Sequence, residues 1–192
     1  MPTQEIRCFI AIHLSHEVQK HISDYILKLK GFSSGVRWAQ TGNIHLTLKF
    51  LGEINSSRVE HVKQSLYPIS NKFSPFNLNI YGSGCFPGKK RPRVFWLGME
   101  QGTENPLFGI HQWIEDQLEQ LNFDKEKRRF SPHLTIGRIR ARQETDFSDM
   151  FTFMEENPFT SIEMFVSEIF FNQSYIKPSG AEYQVIEKYL LK

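Results

Sequence analysis

Two four-residue phrases constrain this chain more than anything else in it: His45-Leu46-Thr47-Leu48 and His133-Leu134-Thr135-Ile136. Each alternates polar and apolar, the pattern of a β-strand buried on one side only. The apolar pair has to face a core. The histidine and threonine of each phrase are therefore forced together onto the opposite face. One phrase falls in each half of the chain. The expected architecture is α+β with two similar lobes. Each lobe would carry a motif strand, companion strands and helices, with the two His/Thr faces opposed across a groove.

Length and composition fit this picture. A chain of 192 residues supports one domain or two small lobes sharing a core. Its 40% hydrophobic and 23% charged residues are ordinary for a soluble globular protein. The formal net charge of +2 is too small to argue for nucleic acid from bulk charge, so that case has to rest on local patches. The two cysteines, Cys8 and Cys85, form no metal-type spacing and no disulfide framework, which points to a reducing cytoplasm. The start at Met1-Pro2-Thr3 is no basic leader, and the apolar run 8–12 is too short to cross a bilayer, so no membrane partner is expected.

Periodicity places the elements. A near-continuous apolar run at 6–14 reads as a buried strand, and Ser15 as the N-cap of a helix carrying Val18, Ile22, Ile26 and Leu29. The first motif strand spans 43–51, closed by Gly52, and a second helix follows from Asn55 or Ser56 to Ile69. A strand at 76–81 leads into a Gly/Pro-rich cationic loop at 82–93, followed by a strand at 94–97. A third helix is expected at 105–121, the second motif strand at 133–139, and a short helix at 146–156. Strands at 162–171 and 183–190 complete the chain.

The motif residues suit proton transfer. An imidazole has an unperturbed pKa of about 6.5, so near neutral pH one copy can accept a proton while its twin donates one. Such general acid–base help is typically worth about 10²- to 10⁴-fold. Threonine hydroxyls two residues on can donate to the non-bridging oxygens of a phosphate. No Ser or Cys nucleophile is needed, and no carboxylate cluster for a metal lies near either phrase. Metal-free displacement at a phosphodiester fits best. His13, His16, His21, His61 and His111 share no pattern and read as structural. Lys49 alternates with His45 and Thr47 and is a candidate cation on the same face. By the same alternation Arg138 falls on the face opposite His133 and Thr135, unless Gly137 sits at a bulge.

The paired phrases resemble those of the 2H phosphoesterase superfamily, and more closely the RNA 2′,3′-cyclic phosphodiesterases, also called 2′-5′ RNA ligase-like proteins. The likeness extends to Arg7-Cys8-Phe9-Ile10-Ala11-Ile12, to Lys49-Phe50-Leu51-Gly52, to Phe86-Pro87 with Arg91-Pro92-Arg93-Val94-Phe95-Trp96-Leu97-Gly98, and to Ser131-Pro132 with Gly137-Arg138. The resemblance implies one domain over residues 1–192 with a pseudo-twofold axis, two antiparallel-rich sheets flanking a central cleft, and helices outside. It implies an enzyme that works without metal; no cofactor is expected, and a cytoplasmic monomer is. Such an enzyme hydrolyses the 2′,3′-cyclic phosphate of an RNA end, or of a nucleoside, to a 2′-phosphate. His133 would be the base for water and His45 the acid for the departing oxygen. Thr47, Thr135 and Arg138 would hold the phosphate. The same groups would serve the reverse reaction, 2′-5′ joining of RNA ends. A nucleotide- or RNA-binding module without turnover is a third reading, one that two proton-transfer groups argue against.

For the rest of the RNA, Lys89, Lys90, Arg91 and Arg93 read either as a grip on the backbone or as a solvated loop. Phe86, in that loop, is a candidate platform for a base. Phe9, Phe50 and Trp96 could stack on a terminal base as well, but read first as core aromatics.

Overall fold

The sheet is dictated by where the apolar halves of the motif phrases go. The computed structural model describes residues 4–32, 35–100, 106–139, 146–178 and 180–192. Its strands are β1 (Glu5–His13), β2 (Val36–Trp38), β3 (His45–Asn55), β4 (Phe76–Phe86), β5 (Val94–Met99), β6 (His133–Ile139), β7 (Ile162–Val166), β8 (Glu168–Lys177) and β9 (Gly180–Leu190). The helices are α1 (His16–Lys30), α2 (Val59–Leu66), α3 (Ile69–Lys72), α4 (Pro106–Glu119) and α5 (Ser148–Glu156). Leu46, Leu48, Leu134 and Ile136 are buried and share one core with the apolar faces of α1 and α4. Burying each such side chain is worth about 2 kcal/mol, so a one-residue slip of both strands would cost roughly a whole domain's stability. That penalty is what pins the histidines and threonines to the other face.

The strand order is β7-β4-β5-β6-β3-β1-β8-β9, antiparallel throughout, with β2 paired to β6. The two expected sheets are thus the two halves of one nine-stranded sheet. They join where Leu46 faces Leu134, the residue after each histidine. Equivalent positions lie opposite each other there, as a local twofold axis requires. Outward from that axis β5 matches β1, β4 matches β8 and β7 matches β9.

The symmetry includes a matched pair of bulges. Along β1 the partners step from Ile10↔Lys49 to Ala11↔Thr47, leaving Leu48 as the extra residue. Along β5 they step from Phe95↔Gly137 to Trp96↔Thr135, leaving Ile136 extra. An extra residue inverts the alternation beyond it. Lys49 therefore turns into the protein, at 7% exposure, and Phe50 turns out. Strict alternation had put Lys49 beside His45 and Thr47, and the bulge corrects this. The second bulge sends Arg138 to the face of His133 and Thr135. Gly137 permits it: a Cβ there would lie 2.7 Å from Val36 Cγ1 of β2.

Local chemistry sets several boundaries. Ser15 caps α1, its Oγ accepting the Val18 N–H at 3.3 Å. β3 runs on through Gly52, which has φ +73°, instead of ending there. β4 likewise extends to Phe86 and absorbs half of the expected loop. Gly82 takes φ +71° beside a register shift, and a Cβ on Gly84 would come within 2.5 Å of the Trp96 ring. The expected strand 162–171 is two strands, split at Ser167, whose carbonyl accepts the Leu191 N–H at 2.9 Å. β7 joins β4 in one half and β8 joins β1 in the other. The Asn105 start of the third helix, and the chain start at Met1-Pro2-Thr3, lie outside the described residues. Among the described residues no helix is long and apolar enough to cross a membrane.

Candidate active site

Each motif histidine opens its strand, and each is held the same way. His45 Nδ1 lies 2.9 Å from the Asn43 carbonyl and His133 Nδ1 lies 2.7 Å from the Ser131 carbonyl. A carbonyl only accepts, so Nδ1 carries the hydrogen in both rings and donates it. The second nitrogen, Nε2, is then the one that exchanges protons. The carbonyl two residues upstream fixes both the tautomer and the ring orientation, and it does so identically in the two lobes.

The surroundings of the two rings differ. His45 stacks on Phe9 at 4.7 Å between centroids and meets the edge of Tyr183 at 5.0 Å. Burial pushes its pKa down to about 4; the Asn43 carbonyl pulls partly the other way, and nearby His13 lowers it further. His45 is therefore neutral near pH 7 in the free protein. The Nδ1 bond of His133 lies at an exposed position, with Phe86 edge-on at 5.1 Å.

His45, Thr47, His133, Thr135 and Arg138 all line one cleft of about 500 Å³. Among the described residues neither threonine hydroxyl has a protein hydrogen-bond partner, so both can donate to a ligand. Arg138 and Arg7 both lie close enough to Tyr183 to favour its ionised form, against the stronger opposing effect of burial. Among the described residues no group of three or more His, Cys, Asp or Glu side chains is arranged to hold a metal ion.

The remaining candidates lie elsewhere. Lys49 is paired with Glu115 at 2.7 Å, away from the cleft. Lys89, Lys90, Arg91 and Arg93 do not line it. Lys89 is paired with Glu155, and the Arg93 backbone is tied to Phe86 and Ile139. Phe86 ends β4 and packs against His133 and Trp96 without lining the cleft.

The cleft's other cations are Arg7, Arg37 and Lys177, the last paired with Glu182; its large apolar lining residues are Phe9, Trp38, Ile44, Phe50, Ile176 and Tyr183. These were not singled out as site residues from sequence, except Phe9 and Phe50 as aromatics. A signal existed for Arg7, which interrupts an apolar strand two residues before Phe9 and shares its face. For the tip of the β8–β9 hairpin there was none, because only the fold brings it over β3. The cleft is lopsided: β1, β2, β3, β6, β8 and β9 contribute to it, while β4, β5 and β7 do not.

Comparison with known proteins bears on this geometry. Residues 12–96 match the family model described as LigT like phosphoesterase. An RNA 2′,3′-cyclic phosphodiesterase from Thermotoga maritima is 33% identical over 182 residues, covering 94% of this chain and 93% of its own. Another from Aquifex aeolicus is 30% identical, covering 97% of each. A crystal structure of E. coli LigT complexed with 3′-AMP superposes with a TM-score of 0.79 at 23% identity, over 98% of this chain and 99% of the other.

Proposed function

The chain belongs to the LigT-like phosphoesterases, and from that premise we propose that it hydrolyses the 2′,3′-cyclic phosphate at the end of an RNA to a 2′-phosphate, without a metal. The observation that carries the mechanism is the pair of imidazoles on one cleft, each with Nδ1 locked to a carbonyl and Nε2 left to exchange protons. Displacement at phosphorus needs the entering and leaving oxygens on opposite sides, each served by a proton-transfer group. The threonine hydroxyls donate to the non-bridging oxygens, and Arg138 balances their charge.

The lopsided cleft supports a division of labour. The departing 3′ oxygen stays attached to the nucleoside, so the acid has to sit on the nucleoside's side. Phe9, Phe50, Ile176 and Tyr183 stand on the His45 side, and on the His133 side Trp38 of β2 lines the cleft beside β6. His45 is then the acid. His133, on the other side, takes the proton from water. His45 acquires its proton when the anionic phosphate arrives, because an adjacent opposite charge favours the imidazolium. The RNA strand upstream of the cyclic phosphate runs along Arg7 and Arg37. Two free thiols suit a reducing cytoplasm, where the protein is proposed to work as a monomer.

The test is turnover of nucleoside 2′,3′-cyclic phosphates by His45→Ala and His133→Ala. Each variant is expected to fold and to lose at least about 10²-fold in kcat. Near-wild-type turnover by either folded variant refutes the two-histidine mechanism.

A further inference from the structure

Behind β3, on the side away from the cleft, an ion pair is buried. Lys49 Nζ donates to Glu115 Oε2 at 2.7 Å and to the Asp124 carbonyl at 2.6 Å. The two side chains are only 6% and 4% exposed. Glu115 Oε2 also accepts the Glu126 backbone N–H at 3.1 Å. Its Oε1 is buried without a hydrogen bond; His111 Nε2, one turn earlier on α4, lies 3.7 Å from it. The His111 ring stacks flat on Phe130 at 3.9 Å. The residue after Phe130 is Ser131, whose carbonyl holds His133 Nδ1.

A buried pair of this kind is costly, since each ion loses several kcal/mol of hydration, and apolar side chains of similar size often stabilise as well or better. The other lobe shows that the bulge itself does not require it. The equivalent position there is Gly137, and the space is filled by Val36 and Trp38. The pair does what apolar packing cannot: it ties specific backbone groups of the 124–126 segment to the His45 strand. We propose that Lys49 and Glu115 are positioning residues for His133, clamping the segment that runs from Asp124 to Ser131 against β3 and α4 so that the Ser131 carbonyl meets the imidazole. The clamp thus couples the strand of one motif histidine to the orientation of the other. Its role in turnover rests on the two-histidine reading; its effect on the ring does not.

The experiment compares wild type, Glu115→Gln and the double variant Lys49→Met/Glu115→Leu. Three readouts are taken: thermal melting, kcat and KM on a nucleoside 2′,3′-cyclic phosphate, and the ring ¹⁵N shifts of His133. The double variant is expected to melt close to wild type, with KM little changed and kcat lower by at least about 10-fold, as a misplaced proton-transfer group would cause. Its His133 ring should lose the Nδ1–H preference and become a tautomer mixture. Glu115→Gln retains the shape and one acceptor oxygen, and should fall between. A folded double variant with wild-type kcat and unchanged His133 shifts overturns the proposal. Should the double variant fail to fold, Glu115→Gln decides alone: unchanged ring shifts and kcat overturn it. Failure of wild type to turn over any cyclic phosphate refutes the functional reading instead, and the ring shifts still test the clamp.

Discussion

In the proposed mechanism His45, neutral near pH 7 in the free protein, has to become an acid when substrate binds, and this sets a measurable demand on the ligand. Burial holds its pKa at about 4. Substantial protonation near neutral pH needs a rise of about three units, or about 4 kcal/mol at 1.36 kcal/mol per unit. A single negative charge about 4 Å from the ring, at an effective dielectric of about 20, supplies about 4 kcal/mol. The interaction is therefore of the size required. The perturbation is saturation with a nucleoside 2′-monophosphate, the expected product. The assay is NMR titration of the His45 ring through the acid and neutral range, with and without that nucleotide. The expected midpoint is near 4 for the free protein and about 7 for the complex. A free-protein midpoint near 6.5 refutes the burial argument. A midpoint that stays near 4 in the complex refutes the acid role, because His45 would then be unprotonated when the leaving oxygen needs its proton.

Replacing Arg7 and Arg37 by Gln should raise KM for an oligonucleotide ending in a cyclic phosphate and flatten its salt dependence by about 0.7 per lost phosphate contact; replacing Lys89, Lys90, Arg91 and Arg93 by Gln should leave both near wild type, and steady-state kinetics at several salt concentrations distinguish the two sets. Gly137→Ala puts a Cβ 2.7 Å from Val36 Cγ1, so β2 has to shift; calorimetry should show a loss of about 1–3 kcal/mol, at about 2–4 °C per kcal/mol for a chain of this length.

Much of the site was legible because one physical constraint produced it. Burying Leu46, Leu48, Leu134 and Ile136 leaves the histidines and threonines no other face, and a two-residue period states this without any tertiary information. Periodicity also located α1, α2, α4 and most strands. It failed where a single residue changes phase. Gly137 marks a possible bulge after the second phrase, but nothing in Leu48 announces the first, and so strict alternation misplaces Lys49. The glycines at 82 and 84 read as loop because glycine usually marks one. In the fold they serve a kink and a close approach to Trp96, inside a strand. Clustered charge at 89–93 suggested a grip on RNA, but the cations lining the cleft are scattered over β1, β2, β6 and β8. Residues as far apart as Arg7 and Lys177 meet only through the pairing of β1 with β8, and a single sequence does not disclose which strands become neighbours.

On the proposed mechanism two histidines open the cyclic phosphate toward the 2′-phosphate without a metal. Phosphorus NMR of the product formed from a nucleoside 2′,3′-cyclic phosphate, in excess chelator, tests it most directly. The expected result is undiminished turnover giving only the 2′-phosphate, since His45 protonates the 3′ oxygen alone. A 3′-phosphate product, or turnover abolished by chelator and restored by a divalent ion, would contradict it.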